Sequence, residues 1–138
     1  MKVFLGGTCN DSQWRNQLIP HLKCDYFNPV VDDWTPECQA EELLQRKNCD
    51  YVLYVITPAM VGVYSIAEAV DDSNKRPNRT IFCYLSNDTV GVNKYSFGTP
   101  QLKSLDAVAK LITANGGLVY NNLAEVANLL NGLQQDLS

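Results

Sequence analysis

The sequence predicts an α/β fold. The expected architecture is a single-domain, flavodoxin-like or Rossmann-like three-layer sandwich over residues 1–138. A five-stranded parallel sheet in the order 2-1-3-4-5 carries helices on both faces. Three observations point to it. Short apolar runs alternate with longer amphipathic stretches along the chain. The clearest run, DYVLYVIT at residues 50–57, is almost continuously apolar and rich in β-branched and aromatic side chains, as in a parallel strand covered on both faces. Finally, 138 residues at 46% hydrophobic and 19% charged are enough chain for one core and exclude a disordered or collagen-like protein.

Taken in order, residues 2–7 form a strand followed by a Gly-rich turn. Residues 11–22 form a helix with Trp14, Leu18 and Leu22 on one face, and Pro20 distorts its end because it lacks an N–H. Residues 25–28 are a short second strand closed by Pro29. Thr35-Pro36-Glu37 combines an N-cap hydroxyl, a proline at the first helical position and an acid, so a helix starts there and runs to Lys47. The third strand, residues 50–57, leads to a helix from Tyr64 or Ser65 to Asn74. Residues 79–85 are the fourth strand. Residues 87–98 are a polar loop, long for a compact domain and therefore a candidate functional loop. A helix at 100–114, a strand at 118–120 and a helix at 123–137 complete the alternation. Right-handed crossovers then give a parallel sheet.

Charge and composition narrow the function. Lys plus Arg number 11 against 15 Asp plus Glu, a formal net charge of −4. No basic patch stands out, so polymeric nucleic acid is not the expected partner and a small molecule is. No segment reaches the roughly 18 apolar residues of a membrane span, and the apolar part of residues 1–8 is too short for a signal peptide. The 5 cysteines (Cys9, Cys24, Cys38, Cys49, Cys83) show no Cys-x-x-Cys spacing, which fits free thiols in a cytoplasmic protein. With a single histidine, His21, in an expected surface helix, neither a His-based zinc site nor a Ser-His-Asp triad is expected.

In such a sheet the ligand lies beyond the carboxyl ends of the strands, at the switch point between the first and third. Gly6, Gly7 and Thr8 follow the first strand, where glycines let a ligand approach and the next helix N-terminus favours an anion. The run is neither GxGxxG nor a Walker A loop, and a tight strand-to-helix turn accounts for it equally well. Asp32, Asp33 and Trp34 follow the second strand. They offer two acids to hydrogen-bond a ribose or base and a ring to stack on it, or else form a solvated turn with the Trp covering the core. Glu68 falls in the first turn of the helix after the third strand. Ser65-x-x-Glu68 fits a capping box, which would make Glu68 structural. As chemistry it is a candidate nucleophile, because no histidine or clustered thiol competes. Eight residues of helix, about 12 Å of rise, bring Glu42 from the start of the third strand back toward the carboxyl edge. The competing reading is a solvent-facing acid favoured by the helix dipole, which suits Glu37 and Glu41.

Together, VFLGGTCN (residues 3–10), FNPVVDDWTPEC (27–38), CDYVLYVITPAMVGVYSIAEAV (49–70) and VNKYSFG (92–98) resemble the nucleoside 2-deoxyribosyltransferase superfamily, in particular its nucleoside 2-deoxyribosyltransferase-like branch. The resemblance implies a nucleophilic Glu eighteen residues beyond an Asp that opens the third strand, and Glu68 stands so relative to Asp50. It implies a second catalytic acid eight residues before that Asp, where Glu42 stands with Glu for Asp. It implies a substrate-contacting Asn before an aromatic-Gly pair, matched by Asn93 with Phe97-Gly98, and a base-contacting loop that Asp32, Asp33 and Trp34 occupy. The chain departs from the pattern at Phe4, where the transferases place a Tyr that bonds the nucleophile. It departs again at Gly62, where an Asp often touches the sugar, although Tyr64 and Ser65 supply hydroxyls nearby.

The expected activity is cleavage or transfer at the N-glycosidic bond of a (deoxy)nucleoside or nucleotide, through a glycosyl-enzyme ester on Glu68. Glu42, or an acid of the Asp32-Asp33 pair, protonates the leaving base, and no metal or organic cofactor is needed. A nucleoside monophosphate hydrolase using Gly6-Gly7-Thr8 for the phosphate is an alternative with the same site. A non-catalytic nucleotide-binding or sensing module, favoured by Phe4 and Gly62, is another, and a ligand-free protein-interaction domain is a third. The resemblance also implies a homodimer or larger homo-oligomer.

Overall fold

The structure is a computed structural model that describes residues 1–137. Five parallel strands, β1 (Lys2–Gly7), β2 (Asp25–Phe27), β3 (Tyr51–Ile56), β4 (Thr80–Tyr84) and β7 (Leu118–Tyr120), form one sheet in the order β2-β1-β3-β4-β7. This is the expected 2-1-3-4-5 order, with β7 as fifth sheet strand. The helices are α1 (Trp14–Leu18), α2 (Pro36–Asn48), α3 (Tyr64–Lys75), α4 (Thr99–Asn115) and α5 (Leu123–Asp136). None is long and apolar enough to cross a membrane.

Period-two alternation along the strands builds two cores. Val3, Leu5, Leu53, Val55, Ile81 and Cys83 face Trp14 and Leu18 of α1 and Val126, Ala127 and Leu130 of α5. Phe4, Val52, Tyr54, Ile56 and Phe82 face Ala69 of α3 and Leu105, Ala109 and Ile112 of α4. Near-continuous apolar strands are therefore required, because both faces of the sheet are covered. The five cysteines are free, and burial pushes the Cys83 thiol up to about 12.

Four local expectations change. The glycine pair lies inside β1, and Gly7 adopts φ +120° against β3. The first helix is α1 followed by a 3-10 turn, Ile19–His21, because Pro20 cannot donate to a regular helical bond. The loop at 87–98 contains an antiparallel hairpin of β5 (Asn87–Val90) and β6 (Asn93–Ser96), turned by Gly91 at φ +61°. The Asp88 carboxylate ties it to the carboxyl edge, accepting bonds of 2.5 Å from Thr57 Oγ1 and Ser12 Oγ. Finally, α3 has no capping box: its N-cap is Val63, without a side-chain cap, and Glu68 opens the second turn rather than sitting in the first. The Thr35 cap of α2 holds as expected, its hydroxyl accepting from Cys38 N at 3.2 Å.

Candidate functional site

A cavity of about 330 Å³ opens at the carboxyl ends of β1 and β2, beside the N-terminal half of α3. Phe4, Gly6 and Gly7 of β1 form its base, with Cys9 just beyond and Arg15 from α1. Pro29, Val30, Val31 and Trp34, from the loop after β2, form an apolar wall. Glu42 enters from α2, and Ser65 and Glu68 enter from α3. A cleft opens here because the crossover from β1 through α1 and the crossover through α2 into β3 lie on opposite faces of the sheet. A second cavity of about 370 Å³, between α1 and α5, is lined by His21, Asn128 and Asn131 among others and carries no acid.

Seven of the expected site residues therefore meet in one place: Glu68, Glu42, Ser65, Phe4, Gly6, Gly7 and Trp34. The others lie elsewhere. Asp32 and Asp33 are exposed and outside the cavity lining. Thr8 is buried, and its hydroxyl accepts from Thr57 N at 2.9 Å, a bond that fastens the turn after β1 to β3. Gly62 and Tyr64 are exposed outside the cavity, and Asn93 is exposed on β6.

Two arginines complete the site, and sequence reasoning missed both. Arg15 is buried, stacked 4.3 Å from the Trp14 ring. It donates through Nε to Leu5 O (3.1 Å), through Nη1 to Thr8 O (2.7 Å) and through Nη2 to Gly7 O (3.4 Å). The guanidinium thus gathers the carbonyls where β1 ends and presents a cation to the cavity. Arg46 of α2 lies 3.6 Å from Glu68 Oε2 through Nη1. A signal for Arg46 was present: Glu42 and Arg46 are four residues apart on α2 and share a face. Arg15 belongs to a helix rather than a loop, so a search of the strand-end loops passes over it.

The electrostatics act on both acids in the same direction. Burial raises the Glu68 carboxyl above its ordinary value; Arg46 opposes this, and Glu42, Asp72 and Asp71 reinforce it. Burial also raises Glu42, with Arg15 and Arg46 opposing. Glu68 has a direct ion pair with Arg46, whereas among the described residues Glu42 makes none. Both acids in the one cavity thus have raised proton affinity, and Glu68 is the one in direct ion-pair contact with a cation. Such a pair can supply an ionised nucleophile and a proton donor. Among the described residues no cluster of three or more His, Cys, Asp or Glu could hold a metal ion.

A family model described as nucleoside 2-deoxyribosyltransferase like matches residues 1–84. The match covers 84 of 138 residues, runs from β1 through β4 and includes all the residues that line the cavity. No curated protein matches the chain.

Proposed function

The chain belongs to the nucleoside 2-deoxyribosyltransferase-like family, and from that premise we propose that it breaks and remakes the N-glycosidic bond of a (deoxy)nucleoside or nucleotide at this cavity. The observation that carries the reading is the meeting of Glu68 and Glu42, from separate helices, with the apolar loop wall. A Glu68 oxygen attacks the anomeric carbon while the C–N bond breaks, and the base leaves with the proton of Glu42. The product is a glycosyl ester on Glu68. A second base, or water, then attacks the same carbon and releases Glu68, with Glu42 now accepting the proton. Pro29, Val30, Val31 and Trp34 hold the base, and Glu42, which lines the same cavity as Glu68 where Asp32 and Asp33 do not, is the proton donor in this reading. Ser65 offers a hydroxyl to the sugar where Gly62 and Tyr64 stand outside.

We read residues 1–138 as one functional unit that pairs with a second copy. Trp34 of the cavity wall is exposed, as are Leu43 on α2, Val61 and Val63 on the approach to α3 and Tyr64 at its start, and a partner covering Trp34 would also shield the site. The test is incubation of 2′-deoxyadenosine with free cytosine. Base exchange supports transfer, and free deoxyribose alone supports the hydrolytic version. Glu68→Gln loses about a thousandfold or more of that turnover while keeping the fold. Full activity in that variant contradicts the nucleophile assignment.

A further inference from the structure

The arginine on α2 has a second set of partners that fixes where its charge points. Arg46 donates through Nε to Asp72 Oδ2 at 2.9 Å and through Nη2 to Asp72 Oδ1 at 3.1 Å, a two-pronged grip on a carboxylate with no exposure to solvent. Nη2 also reaches Asp71 Oδ2 at 3.2 Å and the Glu68 carbonyl at 3.4 Å, and Nε also donates to the Tyr54 hydroxyl at 2.9 Å. Tyr54 donates in turn to Asp72 Oδ2 at 2.5 Å, and Arg76 Nη1 stands 3.4 Å from Asp72 Oδ1. A guanidinium is planar, so gripping one edge sets the direction of the other. The edge left over, Nη1, is the one that lies 3.6 Å from the Glu68 carboxylate.

We propose that Arg46 is a positioning residue for Glu68: Asp72 and Tyr54 lock its guanidinium so that the free edge faces the Glu68 carboxylate in the cavity. The proposal rests on reading Glu68 as the nucleophile. Arg46 also fastens α2, which buries no residue of its own, to α3. Stability alone therefore does not separate the two roles. The Glu68 titration does. The charged and titratable groups facing Glu68 are Arg46 and Glu42 from α2, Asp71 and Asp72 from its own helix and Tyr54 from β3, with Arg15 of α1 and the Cys9 thiol after β1 on the same cavity. Arg46 is the cation among them in direct contact, so losing its aim raises the Glu68 midpoint.

The experiment is a ¹³C-carboxyl NMR titration of the unliganded protein, with the Glu68 signal identified by its loss in Glu68→Gln. Arg46→Lys keeps a cation for the buried Asp72, but an ammonium is a single point charge and cannot grip Asp72 and face Glu68 at once. The Glu68 midpoint is expected to rise by about one pH unit in Arg46→Lys. The acid limb of 2′-deoxyadenosine/cytosine exchange should move up with it. Arg46→Gln, where it folds, should show at least as large a rise. An unmoved Glu68 midpoint in folded Arg46→Lys, with turnover lost in Glu68→Gln, overturns this proposal and leaves the nucleophile reading standing. Full turnover in Glu68→Gln overturns both.

Discussion

Replacing Gly7 by Ala tests how the cavity base is made. A Cβ at Gly7 would stand 2.1 Å from Val55 O, 2.6 Å from Val55 N and 2.8 Å from Val55 C, all backbone atoms of the strand paired with it. No side-chain rotation relieves such contacts. Separating the strands by about 1 Å stretches the 2.9 Å bond from Thr8 N to Val55 O beyond hydrogen-bonding range. Gly7 also has φ +120°, which costs a residue with a Cβ about 1–3 kcal/mol. With the loss of one or two strand bonds at about 1 kcal/mol each, the whole comes to about 2–5 kcal/mol. That is a large part of an ordinary domain's stability. The assay is urea unfolding of Gly7→Ala beside Gly62→Ala, whose Cβ would meet nothing within 4 Å. Gly62→Ala should stay within about 0.5 kcal/mol of the parent. A loss below about 1 kcal/mol in Gly7→Ala would refute the claim that β1 and β3 close the cavity base through bare backbone.

Three further outcomes follow from the site. Tyr54→Phe removes a donor to the fully buried Asp72 and should cost about 1.5–3 kcal/mol by urea unfolding, as for a hydrogen bond to a charge. Glu42→Gln should slow base departure about 10²–10⁴-fold and abolish the basic limb of the pH–rate profile, read by base exchange across pH. Glu68→Gln should be more stable than the parent at pH 7. The folded state raises the Glu68 carboxyl above its ordinary 4.5, so between that value and the raised one it holds a proton that the unfolded chain has released, and above both it carries its charge at a cost to folding. The parent therefore loses stability as pH rises from that ordinary value through the raised one, the Gln variant does not, and the difference closes below about pH 4 in thermal melts.

The parallel sheet was legible because its strands are covered on both faces, and continuous apolar runs such as DYVLYVIT announce that burial directly. The hairpin of β5 and β6 was not. Its strands are polar, and every residue of β6 is exposed, so neither carries an apolar alternation. Asp88, which docks the hairpin, acts through contacts with Ser12 and Thr57 that no local spacing encodes. At the site, Glu68 was legible from its helix after the third strand and Glu42 from the rise of the helix before it, the family resemblance implies both, and they do reach one cavity. Asp32 and Asp33 were placed by the loop they occupy, but a loop does not fix which side chains turn inward. There Pro29, Val30, Val31 and Trp34 line the cavity while the acids stay in water. Ser65-x-x-Glu68 is a capping box only with Ser65 as N-cap, and the helix starts two residues earlier. With Val63 as N-cap the spacing no longer fits, and Glu68 pairs with Arg46 instead.

The most direct measurement of the central claim is the intact mass of the protein quenched during turnover of 2′-deoxyadenosine, followed by peptide mapping. The account predicts an adduct of one deoxyribosyl unit on the peptide bearing Glu68, and none in Glu68→Gln. Turnover with no adduct under any quench, or an adduct on a different residue, would contradict it.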